Sequence, residues 1–110
     1  MAAILAADTA CCSIFGKCSK FHVDHVLETS YEENFRMIEE SCRFLKDHGR
    51  TVFFDAEHFF DGWKEDEEFA WEALKAAMRG GADLLCLCDT NGGTFPGEAE
   101  AIVGQVVRRV

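Results

Sequence analysis

Three apolar runs of strand length recur along the chain, at residues 10–15, 51–55 and 84–88. Each gives way to a polar loop and then to a segment whose apolar residues return every three or four positions. Runs that are apolar on both faces suit parallel strands covered by helices. The intervening periodicity predicts helices near 31–48, 65–79 and 96–109. The first opens at Ser30, which with Glu33 spells a capping box, each side chain satisfying an orphan backbone N–H. Phe35, Ile38, Cys42 and Leu45 then share one face, and Gly49 suits the left-handed residue beyond the helix end. The second starts on an acidic turn, Glu65 to Glu68, which favours the positive end of the helix dipole. It buries Phe69, Ala73, Leu74 and Ala77 and stops at Gly80-Gly81. The third begins near Pro96, a residue suited to a first helical turn, with Ile102, Val103, Val106, Val107 and Val110 as its stripe.

The pattern therefore reads β-α-β-α-β-α, an α/β fold in one domain over residues 1–110, with no linker and no low-complexity stretch. In such folds ligands sit beyond the carboxyl ends of the strands. Here those ends lead into Gly16-Lys17, into Asp55-Ala56-Glu57-His58, and into Asp89-Thr90-Asn91-Gly92-Gly93.

A length of 110 residues suits one compact domain. With 20 acidic and 11 basic residues the net charge is −9, a sign that phosphate backbones and anionic membrane surfaces repel. Nucleic acid and membrane are accordingly not expected as partners. No run reaches the roughly 18 apolar residues of a membrane span. The start, MAAILAADTACCSIF, lacks a basic segment and is interrupted by Asp8, so it does not read as a signal peptide. The six cysteines include no CxxC pair. Cys11, Cys12, Cys86 and Cys88 lie inside apolar runs, where free cysteine behaves as a small hydrophobe. Reduced core thiols and a cytoplasmic location are expected. Cys86 and Cys88 share a strand face, too close along the chain for ordinary zinc chelation.

The stretch FFDAEHFFDG, residues 53–62, sets Asp55, Glu57, His58 and Asp61 among four phenylalanines. Its acids fall where chemistry sits on this class of fold. His58 points away from Glu57 if strand geometry persists, and is read as structural. Asp89 is read as a turn cap before the glycines. Gly92-Gly93 is a weak phosphate-loop signal. His22 and His25 lie three apart, without a third ligand nearby in sequence.

The stretches VFFDAEHFFDGW and LCLCDTNGGTFP, one helix apart, together with SIFGK at 13–17, HV at 22–23 and YEENFRMIEES, resemble the citramalate synthases. These belong to the same superfamily as the isopropylmalate and homocitrate synthases. The resemblance covers about Ala6 to Val110. It implies part of a TIM barrel, three consecutive units (the fourth to the sixth) of its eight. It also implies an acyltransferase that condenses acetyl-CoA with a 2-oxo acid, pyruvate for the citramalate branch, on the route to isoleucine. By match to the family, Glu57 is the catalytic carboxylate near the acetyl group. Thr90 is the hydroxyl that bonds the oxo acid's carboxylate. Asp55, Asn91 and His22 are substrate-binding neighbours. CSKF at 18–21 departs from the family's usual tryptophan and aspartate.

The family's divalent metal (Mg, Mn or Zn) is held by an Asp on the first strand and a His-x-His on the seventh. This sequence contains neither D-R-E nor H-x-H, so no metal is expected on this chain alone, and it is expected to be inactive without the remainder of the barrel. Starting and stopping near unit boundaries suits a fragment. The alternatives are a non-catalytic αβ module that self-associates through open sheet edges, an enzyme closer to the 2-isopropylmalate synthases of leucine biosynthesis, and a flavodoxin-like nucleotide binder with GKCSK at 16–20 as a poor phosphate loop.

Overall fold

Cys11–Lys17 (β1), Thr51–Glu57 (β2) and Leu84–Leu87 (β3) pair in parallel in the order β1-β2-β3. The computed structural model describes all 110 residues. Its helices, beginning with a short N-terminal one, Ala2–Ala6 (α1), are Lys20–His22 (α2), Tyr31–Asp47 (α3), Phe59–Glu65 (α4), Glu67–Arg79 (α5) and Pro96–Arg109 (α6). A π-helical turn, Val23–Leu27, joins α2 to the loop before α3 and ends on Glu28 at φ 52°. Chain order and sheet order coincide, as when successive βα units march round a barrel. A flavodoxin-like domain places its first strand between the second and third, so that reading is excluded by the sheet order.

Burial alternates along each strand, and only one face of the sheet is covered. On β2, Val52, Phe54 and Ala56 are buried. They meet Ile38, Cys42 and Leu45 of α3 and Ala70, Ala73, Leu74 and Ala77 of α5 in a single core. The other face carries Phe15, Phe53 and Leu84, which are 70%, 37% and 45% exposed. The apolar runs had pointed to strands buried on both sides. Within this chain the second side is bare, because α3 and α5, the helices that pack most on the sheet, lie against the first.

Glycines set the closest approaches. A Cβ on Gly62 would lie 2.0 Å from the carbonyl oxygen of Cys18, and one on Gly80 would lie 2.5 Å from that of Glu39. Only glycine lets α4 rest on the 18–19 loop and the end of α5 rest on α3. On α3, the Ser30 hydroxyl caps Glu33 N–H at 3.1 Å. The reciprocal half of the expected box is missing, because the Glu33 carboxylate pairs with Arg36 instead. The buried stripe of α3 begins with Asn34 rather than Phe35. Asn34 is polar but donates from Nδ2 to the Lys17 carbonyl at 3.1 Å, which fastens α3 to the end of β1.

Asp66 caps α5 by accepting from Phe69 N–H at 3.0 Å. On α6 only Ile102 and Val106 are buried. Val103, Val107 and Val110 of the expected stripe face solvent. The end of α6 is tied down by Arg109, which pairs with Glu67 and Glu68 and lies over the rings of Trp63 and Trp71.

No disulfide forms. Cys12, Cys18 and Cys42 are core residues, whereas Cys11 and Cys86 are exposed. The expectation of buried thiols therefore fails for Cys11 and Cys86, and Cys88 is only half-buried.

Candidate active face at the strand ends

β1 and β2 extend two residues beyond their apolar runs, and that extension builds the site. Lys17 and Glu57 are register partners at the last rung of the β1–β2 ladder. Residues in register point the same way, so their side chains meet: Lys17 Nζ donates to Glu57 Oε2 at 2.5 Å. Lys17 is 13% and Glu57 26% exposed, enough shelter for the pair to hold one geometry. Glu57 is thus an oriented carboxylate rather than a loose loop acid. Lys17 is the residue whose role sequence reasoning missed. No local signal marks it, because the pairing exists only in the register of β1 against β2.

One residue on, the strand geometry ends. His58 adopts φ 53°, ψ 34°, the left-handed region, and becomes the residue before α4. That conformation costs a residue with a Cβ about 1–2 kcal/mol, and it turns the ring back over the strand ends. There it stacks on His22 at 4.1 Å between ring centres and 17° between planes. Sequence reasoning set His58 aside as pointing away. The structure brings it onto the same rim, because strand alternation stops at Glu57. Nδ1 of both rings is buried without a hydrogen-bond partner. Desolvation, then the neighbouring His58 and Lys17, hold His22 below the ordinary imidazole pKa. His25 stands apart from this pair. It is exposed and lies against Phe21 at 4.6 Å between ring centres.

Thr90 reaches the same rim from the loop after β3, its Oγ1 accepting from the His58 N–H at 2.9 Å. That bond leaves the hydroxyl hydrogen free to donate. Asp89 accepts from the backbone N–H and the hydroxyl of Thr94, each at 3.1 Å, and so closes the Gly92-Gly93 turn. Asn91 is exposed. Asp55 lies on the Glu57 side of β2, one rung deeper, where its Oδ2 accepts from the Ser13 hydroxyl at 2.7 Å. Glu57, His22, His58 and Thr90 therefore form one connected rim, Asp55 a second level beneath it, and Asn91 an outlying loop position. One group of carboxylate and thiol ligand atoms converges closely enough to share an ion: Asp55, Cys86 and Cys88, all within 4.8 Å of one another.

Parallel strands in sequential order with helices on one face define a segment of a βα-barrel wall, and the polar groups gather at the carboxyl ends, where such folds place their ligands. The HMGL-like family model matches residues 1–110, and the chain belongs to that family. It is 48% identical over 106 residues to the (R)-citramalate synthase of Aquifex aeolicus, covering 96% of this chain and 20% of that protein. It is 48% identical over 107 residues to the (R)-citramalate synthase of Sulfolobus acidocaldarius, covering 97% and 20%. A probable 2-isopropylmalate synthase of Methanopyrus kandleri is 34% identical over 108 residues, covering 98% and 21%. The chain spans about one fifth of the length of these curated relatives. No helix is long and apolar enough to cross a membrane.

Proposed function

We propose that this chain is a piece of the catalytic wall of a citramalate-forming acyltransferase. The observation that carries the proposal is the Glu57 carboxylate, fixed by Lys17 at the carboxyl ends of β1 and β2, in a chain 48% identical to citramalate synthases. In the proposed reaction the methyl carbon of acetyl-CoA gives up a proton and bonds to the carbonyl carbon of a 2-oxo acid. The resulting alkoxide takes a proton, and water then cleaves the thioester to release CoA. Glu57 orients the acetyl group or water, or assists the proton transfer. Thr90, already anchored through its oxygen, donates its free hydroxyl hydrogen to the oxo acid's carboxylate. His22 and His58 wall the rim with apolar ring faces. Asp55 supports it from below, and Asn91 lies where the loop after β3 can close over substrate.

The divalent ion that the family resemblance implies does not fit these rim residues. Glu57 is engaged by Lys17, and the two imidazoles stack on each other instead of converging on a point. No step is assigned to such an ion here, and the chain by itself is expected to be inactive. Pyruvate is favoured over a longer 2-oxo acid, because the citramalate synthases match at higher identity than the isopropylmalate synthases. The test is acetyl-CoA-dependent thiol release by the complete barrel containing this segment, with pyruvate and a longer 2-oxo acid compared. Glu57→Gln is expected to lower kcat by about 10²–10⁴-fold while leaving the fold intact. An unchanged kcat would remove Glu57 from the chemistry.

A second reading is favoured by the bare sheet face, with Phe15 and Leu84 exposed, and by two open sheet edges, β1 and β3. A module that self-associates through these surfaces would be a stable oligomer in light scattering and show no turnover. A monomer would sink it.

A further inference from the structure

We infer that Asp55, Cys86 and Cys88 form a binding site for a borderline-soft divalent cation of the zinc type on the bare face of the sheet. The inference goes beyond the acyltransferase reading and shares Asp55 with it. Cys86 faces the bare side of β3, and Cys88 follows one residue past the strand's end at Leu87 with its thiol turned to the Cys86 sulfur. Their sulfurs lie 4.0 Å apart. Two thiolates about 2.3 Å from a tetrahedral zinc stand roughly 3.8 Å from each other, so the pair needs almost no movement. Their closeness along the chain had argued against chelation. What that argument lacked was the third donor, which comes from the neighbouring strand: Asp55 is the register partner of Cys86. The three ligand atoms lie within 4.8 Å of one another.

The surroundings favour a cation. Ser13 holds one Asp55 oxygen at 2.7 Å, which fixes the carboxylate and leaves its other oxygen free, the usual support given to a metal ligand. The nearby lysine, Lys17, is committed to Glu57. A cation bound here takes both thiols as thiolates, releasing their protons to solvent. Solvent on the bare side supplies the remaining coordination. The donor set, two sulfurs and one carboxylate oxygen, is one that zinc accepts and that magnesium and calcium avoid.

The test uses the reduced 110-residue chain and Co²⁺ as a spectroscopic probe. One equivalent is expected to give a sulfur-to-cobalt charge-transfer band and the intense visible bands of tetrahedral cobalt, both removed by Zn²⁺. Cys86→Ser and Cys88→Ser should each abolish the charge-transfer intensity at one sulfur, and Ser13→Ala should weaken binding about tenfold. Cys11→Ser, on the same face but outside the site, should change nothing. A parallel measurement needs no variant: stoichiometric Zn²⁺ should protect Cys86 and Cys88, but not Cys11, from alkylation mapped by mass spectrometry. Absence of the thiolate band in folded wild-type chain would overturn the site, as would a band that survives the Cys86→Ser, Cys88→Ser double substitution or alkylation of Cys86 and Cys88 unaffected by zinc.

Discussion

The two faces of the sheet are made from alternate residues of the same strands, yet they behave as different materials. Val52, Phe54 and Ala56 of β2 lie under α3 and α5 with no solvent contact of consequence. Their immediate neighbours Phe53, Asp55 and Glu57 look out from the bare side. The covered face is apolar throughout and carries stability. The bare face mixes Phe15, Phe53 and Leu84 with Ser13, Asp55, Glu57, Lys17 and the thiols of Cys11, Cys86 and Cys88, and it holds the candidate site residues. The difference shows that an apolar strand does not by itself announce a two-sided core. A barrel wall needs residues that fill a shared interior on one side and pack helices on the other.

The sharpest way to break this comparison is a matched pair of truncations. Phe54→Ala is expected to cost about 3–5 kcal/mol, the usual loss for a large buried aromatic. Phe15→Ala, at the most exposed aromatic of the bare face, should change stability by less than about 0.5 kcal/mol. Urea denaturation of both variants decides it. Equal losses would mean that the bare face is covered in solution.

Next in size is Gly62→Ala. The new methyl would collide with the Cys18 carbonyl at 2.0 Å and should cost about 3 kcal/mol through displacement of α4, read as a lowered denaturant midpoint. An unchanged midpoint would show that α4 is not pressed against the 18–19 loop.

A smaller effect separates the rim from the sheet. Replacing His58 by alanine removes the stack on His22 but keeps the left-handed strain, whereas glycine removes both. His58→Gly should be more stable than His58→Ala by about 1 kcal/mol. If alanine is the more stable, the turn at residue 58 relaxes and the stack is not held by backbone geometry.

The smallest effect is a titration. His22 is held below the ordinary imidazole value by desolvation first. Between its unfolded and folded values the unfolded chain binds more protons, so the contribution of His22 to stability is intact above the ordinary histidine range. It is lost as pH falls through the folded value. NMR titration should place the His22 midpoint below the ordinary imidazole value. A midpoint at or above that value would contradict the stacked, desolvated environment.

Alternation, helix periodicity and punctuation were enough to locate the three strands and the long helices, because each is a local property written every two or three residues. The acids at the end of β2 stood out for the same reason: they follow an apolar run at a strand's carboxyl end. Thr90 was singled out only through the family resemblance. Asn34 was missed because its partner, the Lys17 carbonyl, is distant in sequence and a polar residue in an apolar stripe carries no local sign. The exposure of Val103 and Val107 was missed because an apolar stripe says what a helix can bury, not how much surface the rest of the chain offers it.

The amino-acid sequence by itself determined the βα rhythm, the ends of the strands and the chemistry available there. Only the tertiary structure decided which groups meet. Register across β1 and β2 joined Lys17 to Glu57, the left-handed turn at His58 ended strand alternation and laid one imidazole on another, and register across β2 and β3 brought Asp55 to two cysteines. Each of these depends on the close approach of segments separated by dozens of residues. α4 is the plainest case. FFDGW carries a helix-weakening glycine, and it forms a helix because glycine at position 62 is the one residue that lets the backbone settle against the Cys18 carbonyl.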